Sequence, residues 1–164
     1  MILRQQNVCL NVGEKAPDFD LPDQDGKNTS LSHYRGDCNV VLVLNPGKLN
    51  ESCKNYLLFY KEHLMDFSAL HTQVLGMNMD SVSTNEQWAH RIGSLGFPLL
   101  SDHSPLGSVT LKYDCFMPNE GFGKRAIFVI DKKGTIRHIE VLSGESGACP
   151  DLTHLLDTLQ AIQN

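Results

Sequence analysis

The sequence has no apolar run approaching the roughly 20 residues that a membrane-spanning helix requires. It has no surplus of positive charge either. Fourteen Lys and Arg stand against 19 Asp and Glu, a formal net charge of −5. That balance argues against nucleic acid or an anionic membrane as a partner, since both select a basic patch. Cysteine is sparse and odd in number: Cys9, Cys38, Cys53, Cys115 and Cys149. No two of them stand at the two-residue interval of a zinc knuckle or a dithiol redox motif, and the set is unlike a disulfide scaffold. The seven histidines are scattered. His63 and His71 fall on one expected helix but more than two turns apart, too far to share a metal. The first eleven residues include Arg4, Gln5, Gln6 and Asn7 and lack the continuous apolar core of a secretory signal. The expectation is a cytoplasmic protein with mostly free thiols. Repeats, linkers and low-complexity tracts are also missing. The 164 residues therefore read as one domain, 1–164, long enough to bury roughly 70% of the unfolded surface.

What is present is a strand, a polar loop, a cysteine and a helix, over residues 40–71. Residues 39–44 (NVVLVL) are apolar at nearly every position, as a central strand covered on both faces requires. The loop 45–52 (NPGKLNES) follows, then Cys53. Tyr56, Leu57, Tyr60, Leu64, Phe67 and Leu70 then recur three and four apart, predicting one long amphipathic helix.

Around that centre the chain divides simply. Residues 12–35 predict an entry hairpin, with alternating 16–21 as its first strand, 23–27 as the turn, 28–31 as the return and 32–34 as a helical turn. A strand is expected at 73–79, then a helix capped by Ser83 or Thr84 and running to Ile92. Residues 99–102 read as extended, and 104–113 as a brief helix with Pro105 in its first position. Residues 114–123 read as an irregular loop. A second central strand, 126–130, turns at 131–134 into a partner strand, 135–142. A glycine-containing loop, 143–148, precedes a closing amphipathic helix, 151–162. Hairpin, then β-α-β-α, then β-β-α predicts an α/β fold: a thioredoxin-like three-layer sandwich with a central mixed sheet and an N-terminal β-hairpin extension.

Cys53 is the candidate for chemistry. Only the thiolate is a nucleophile. A helix start offers unsatisfied N–H groups that favour an anion, and Asn50 is a good N-cap that puts Cys53 three residues in. Arg125, at the entrance to the second central strand, is the candidate cation, because strand-end loops on one edge of a parallel α/β sheet meet. Pro46 stiffens the loop and shields the sulfur. The plain alternatives are a cysteine acting as a small buried hydrophobe and an arginine acting as a surface charge.

At this point the sequence resembles the peroxiredoxins, the alkyl hydroperoxide reductase and thiol-specific antioxidant family, over residues 12–163. The resemblance is carried by VGEKAPDF at 12–19, Gly26, Leu31, YRG at 34–36 and the strand 40–44. Downstream it is carried by MDS at 79–81, Trp88-Ala89, PLLSD at 98–102, Lys112-Tyr113, and RAIFVID at 125–131 with Gly134. The family's active-site spacing, Pro, three residues, Thr or Ser, two residues, Cys, corresponds here to Pro46, Asn50 and Cys53. The resemblance implies a thiol peroxidase for hydrogen peroxide or organic hydroperoxides with a Cys53 sulfenic acid intermediate. It implies Arg125 as the group that holds thiolate and peroxide, Pro46 as a screen, and the Cys53 N–H as a stabiliser of charge on oxygen. No metal or organic cofactor is implied. The implied partners are a peroxide, an external thiol or thioredoxin-like reductant, and a second copy in a homodimer.

Three positions depart from the family pattern. Asn50 stands for Thr or Ser, Tyr56 for the usual Glu, and Leu44-Asn45 for an aromatic pair. They motivate an alternative, a catalytically weak or inactive peroxiredoxin-like redox sensor or binding protein. The candidates for a resolving cysteine are Cys115, in the irregular loop and the more mobile of the two, and Cys149, beside Pro150; the main alternative to both is a one-cysteine cycle. Cys38 reads as a strand-start residue and Cys9 as an N-terminal one. A thioredoxin-type oxidoreductase is disfavoured, because Cys53 has no near partner and Lys124-Arg125-Ala126 lacks that class's proline.

Overall fold

The computed structural model describes residues 10–45, 51–117, 122–123, 125–142 and 150–163, with backbone alone at 51–53, 117, 122 and 123. β1 (Asp20–Pro22) and β2 (Asn28–Ser30) form a short antiparallel hairpin. A 3₁₀ turn, Leu31–Tyr34, leads to β3 (Asn39–Leu44), whose six residues are all buried. Then come α1 (Glu51–Glu62), α2 (Leu64–Ala69), β4 (Thr72–Asn78), α3 (Val82–Ile92), β5 (Leu99–Ser101) and α4 (Ser108–Lys112). The small pair β6 (Phe116–Met117) and β7 (Phe122–Gly123) precedes β8 (Arg125–Ile130), β9 (Ile136–Leu142) and α5 (Leu152–Ala161).

The main sheet has the order β5-β4-β3-β8-β9. β3, β4 and β5 run parallel, joined by helical crossovers as parallel neighbours require. β8 runs antiparallel to β3, and β9 antiparallel to β8. Alternation along β3 and β8 divides the core between the two faces of the sheet. Val40, Leu42, Leu44, Ala126, Phe128 and Ile130 pack on one side with Phe19, Leu21, Val109 and Tyr113. Val41, Val43, Ile127 and Val129 pack on the other with Tyr56, Leu57, Tyr60, Phe67, Leu155 and Leu159. The expected mixed-sheet sandwich with its hairpin extension is the observed architecture.

Several boundaries differ from expectation, each for a local reason. The first hairpin strand is short because residues 13–16 bond elsewhere. Gly13 N–H donates to Ile136 O at 2.8 Å, and Ala16 N–H to Gly134 O at 2.9 Å. The helix expected to run unbroken through Leu70 divides at His63 (φ −111°, ψ 14°), which starts α2. The apolar spacing continues through the break, with Phe67 stacked on Tyr60, so periodicity alone reads one helix. α3 is capped by Ser81, whose Oγ accepts from Thr84 N–H at 3.2 Å, and not by Ser83 or Thr84. α4 begins at Ser108, so Pro105 is outside it. Its cap comes from Asp102, which accepts Val109 N–H at 3.1 Å and Thr110 N–H at 2.7 Å. Gly107, at φ 72°, precedes it, and a Cβ there would meet the Phe116 ring at 2.6 Å. The loop expected over 114–123 contains the β6–β7 pair.

Tyr113 ties the hairpin side to the sheet. Its hydroxyl donates to Pro17 O at 2.6 Å, and its ring meets Phe19 and Phe128 edge-on. Burial, with the Asp18 charge behind it, pushes its phenol above the ordinary 10.0. Above that pH the unfolded chain gives up this proton while the folded chain keeps it. Stability is therefore full below pH 10 and falls above it, by about 1.4 kcal/mol per pH unit for one group. Tyr113→Phe is expected to cost about 1 kcal/mol at pH 7 and to flatten this alkaline slope. Urea unfolding at pH 7 and above pH 10 measures both.

Candidate active site

β3 delivers the chain to one edge of the sheet and stops at Leu44. Asn45 is buried at the exit, its N–H donating to Met77 O at 2.9 Å. Its carboxamide finds no hydrogen-bond partner among the described residues. Because β8 is antiparallel to β3, with Leu44 opposite Ala126, the start of β8 lies at this same edge. Arg125 is its first residue and only 9% exposed. A buried run on both faces forces this pairing, since a slip would carry a charge into the core.

The chain returns to the sheet through α1. Cys53 is the third residue of this 12-residue helix. It therefore sits in the first turn, where backbone N–H groups have no intrahelical acceptor and the helix dipole is positive. Position 56 follows one turn later on the same helical face. Tyr56 there is fully buried, and the Arg125 guanidinium carbon lies 4.8 Å from its ring centroid. That is a cation–π contact. It fastens the first residue of β8 to the first turns of α1, across 69 positions of sequence. Of the expected convergence of Cys53 and Arg125, the structure describes one part: Arg125 meets α1 at Tyr56, three residues after Cys53. The Cys53 side chain, Pro46, Asn50 and Cys149 lie outside what the structure describes.

The other thiols are placed differently. Cys115 is 1% exposed, packed in the core face that holds Tyr113 and Val109, with its Sγ donating to Tyr113 O at 3.3 Å. The reading of Cys115 as a mobile loop residue is therefore corrected: its side chain is packed into the core, while the neighbouring Asp114 is exposed. Cys38 is half-buried just before β3, at the end of that strand opposite to the Arg125 edge. Burial, reinforced by Asp37, raises its thiol above the ordinary 9.0, which keeps it protonated near neutrality. Among the described residues no group of three or more His, Cys, Asp or Glu is arranged to hold a metal. His63 instead pairs with Asp66 at 3.1 Å.

Sequence reasoning marked Tyr56 only as a departure and missed it as the partner of Arg125. The available signal was an aromatic three residues after the cysteine, on the stripe that faces the sheet.

With this geometry in place, the relatives are informative. The model of the AhpC/TSA family matches residues 12–139. The chain belongs to this family, the peroxiredoxins. This peroxiredoxin is 38% identical over 132 residues to alkyl hydroperoxide reductase E of Mycobacterium tuberculosis, covering 80% of this chain and 86% of that protein. It is 32% identical over 161 residues to the chloroplastic 2-Cys peroxiredoxin BAS1 of Hordeum vulgare, covering 93% and 75%. The crystal structure of peroxidoxin BcpB from Mycobacterium tuberculosis superposes with a TM-score of 0.82 at 26% identity, covering 94% of this peroxiredoxin and 99% of that chain. The thiol-peroxidase chemistry expected of the sequence is the chemistry of this family.

Proposed function

We propose that this peroxiredoxin reduces hydrogen peroxide or organic hydroperoxides through Cys53, with an external thiol as reductant. The observation that carries the reading is the meeting of Arg125 with Tyr56 of α1, one helical turn after Cys53, at one edge of the sheet. The Cys53 thiolate attacks the distal peroxide oxygen. An S–O bond forms, the O–O bond breaks, and the departing alkoxide or hydroxide takes a proton to leave as alcohol or water. Arg125 stabilises the thiolate and the negative charge moving onto the leaving oxygen. Pro46 screens the sulfur, and Asn50 takes the place of the family's hydroxyl, its amide donating to peroxide oxygen. One external thiol then condenses with the sulfenic acid, releasing water and leaving a mixed disulfide. A second thiol displaces Cys53 as thiolate and carries away the oxidised reductant. The burial of Cys115 and the distant position of Cys38 favour an external thiol over these two as resolving partners. The thiol of the half-buried Cys38 also suits a reducing cytoplasm.

The test is one equivalent of hydrogen peroxide in the presence of dimedone at pH 7, followed by peptide mapping. The expected result is a dimedone adduct on Cys53 with Cys38 left as thiol, its ionisation being held back by burial and by Asp37. No adduct on Cys53, with peroxide still in solution, overturns the proposal.

A further inference from the structure

The contact between Arg125 and Tyr56 has a geometry that decides what the cation can do. The Tyr56 ring does not stand alone. Tyr60 meets it edge-on at 5.4 Å and 75°, and Tyr60 in turn stacks on Phe67 of α2 at 6.1 Å and 29°. All three rings are essentially excluded from water. The ring orientation under Arg125 is therefore set by a chain of aromatics running from α1 into α2, and a desolvated cation–π contact is the strong kind.

A carboxylate at position 56, the usual residue of the resembled family, would hold a guanidinium by its edge. It would take up N–H donors in charge-assisted bonds and add a negative charge beside the sulfur. An aromatic face holds the guanidinium through the attraction of its charge to the ring. Unlike a carboxylate, it adds no charge beside the sulfur. The same three-residue step that puts position 56 under Arg125 puts position 53 one turn toward the start of α1. We propose that Tyr56 is a positioning residue of this site: its ring holds the Arg125 guanidinium against α1, one turn from Cys53, where the cation serves the Cys53 thiolate and the peroxide. This rests on the assignment of Cys53 and Arg125 made above.

The experiment compares wild type with Tyr56→Phe and Tyr56→Leu, each checked for fold by near-ultraviolet circular dichroism. Cys53 alkylation by iodoacetamide is followed against pH, and sulfenate formation in a single turnover is timed. Tyr56→Phe keeps the ring and is expected to keep the wild-type pH midpoint. Tyr56→Leu is expected to move the midpoint up by about one pH unit, slowing alkylation about tenfold below it. Placing pentafluorophenylalanine at position 56 keeps the volume of the phenyl ring and reverses its quadrupole, so it tests the idea even if the leucine variant does not fold. It is expected to shift the midpoint upward relative to Tyr56→Phe. A folded Tyr56→Leu with the wild-type midpoint, or a fluorinated ring indistinguishable from phenylalanine, overturns the proposal. A Cys53 whose midpoint responds to these changes but which forms no sulfenate leaves the proposal standing and refutes the peroxidase reading instead.

Discussion

Arg125→Met is expected to slow single-turnover oxidation of Cys53 by hydrogen peroxide by about 10²- to 10³-fold, the range found when one preorganised donor to developing charge is removed. The argument is positional. Arg125 opens β8 opposite the last residues of β3, and its guanidinium is fixed over Tyr56 one turn beyond Cys53. At a buried site the charge acts in a low dielectric, so its loss is felt strongly. Methionine is flexible and fills the space of the arginine stem with an apolar chain. Arg125→Lys is expected to fall between the two, since an ammonium keeps the charge but lacks the planar fork. Cys53→Ser fixes the zero of the measurement. Stopped-flow oxidation of the folded variants reads the effect. An Arg125→Met protein within threefold of wild type would assign this arginine to structure alone.

Asp102→Ala is expected to destabilise the protein by about 4 kcal/mol, because three buried donors lose one acceptor together. Asp102 has no exposed surface. One carboxylate oxygen accepts from Val109 N–H at 3.1 Å and Ser108 Oγ at 3.3 Å. The other accepts from Thr110 N–H and Thr110 Oγ1, both at 2.7 Å. The backbone N–H of Asp102 also donates to Asn78 O at 2.7 Å, and its carbonyl accepts from Gly107 at 2.9 Å. α4 has five residues and is too short to hold itself, so its position depends on this side chain. Asp102→Asn keeps one acceptor oxygen but turns an NH₂ toward a donor, and is expected to lose about half as much. Thr110→Ala on top of Asp102→Ala is expected to add little, since the two share one network. Urea denaturation of the set measures all three.

The parts of this fold that could be read from sequence are those where one requirement dominates. β3 and β8 are buried on both faces, and that demand writes an apolar residue at almost every position. Arg125 is expected near α1 on the grounds of a parallel sheet; it is the antiparallel pairing of β8 with β3 that brings it to that edge, where it meets Tyr56. The parts that could not be read depend on partners distant in sequence or on competing signals. His63 breaks a helix whose apolar spacing carries on undisturbed. Ser81, Ser83 and Thr84 are all acceptable caps, and only the backbone path selects Ser81. Asp102 caps a helix from outside it, while Pro105 offers a plausible but unused start. Cys115 follows a turn rich in polar residues, yet Tyr113 draws it into the core. Tyr56 fills a position where a family pattern leads one to look for a carboxylate, and its partner lies in another strand.

The opposition of Leu44 and Ala126 has one more consequence. If Cys53 and Arg125 act as proposed, thiol reactivity is not stored in any local segment. A chain still leaving its site of synthesis, or one that has partly come apart, can carry a formed α1 with Cys53 in its first turn and still have no cation beside it. Only when β8 has zipped onto β3 does Arg125 arrive. Under the proposed assignment, the β3–β8 ladder that completes the sheet is also what would bring the cation to the nucleophile.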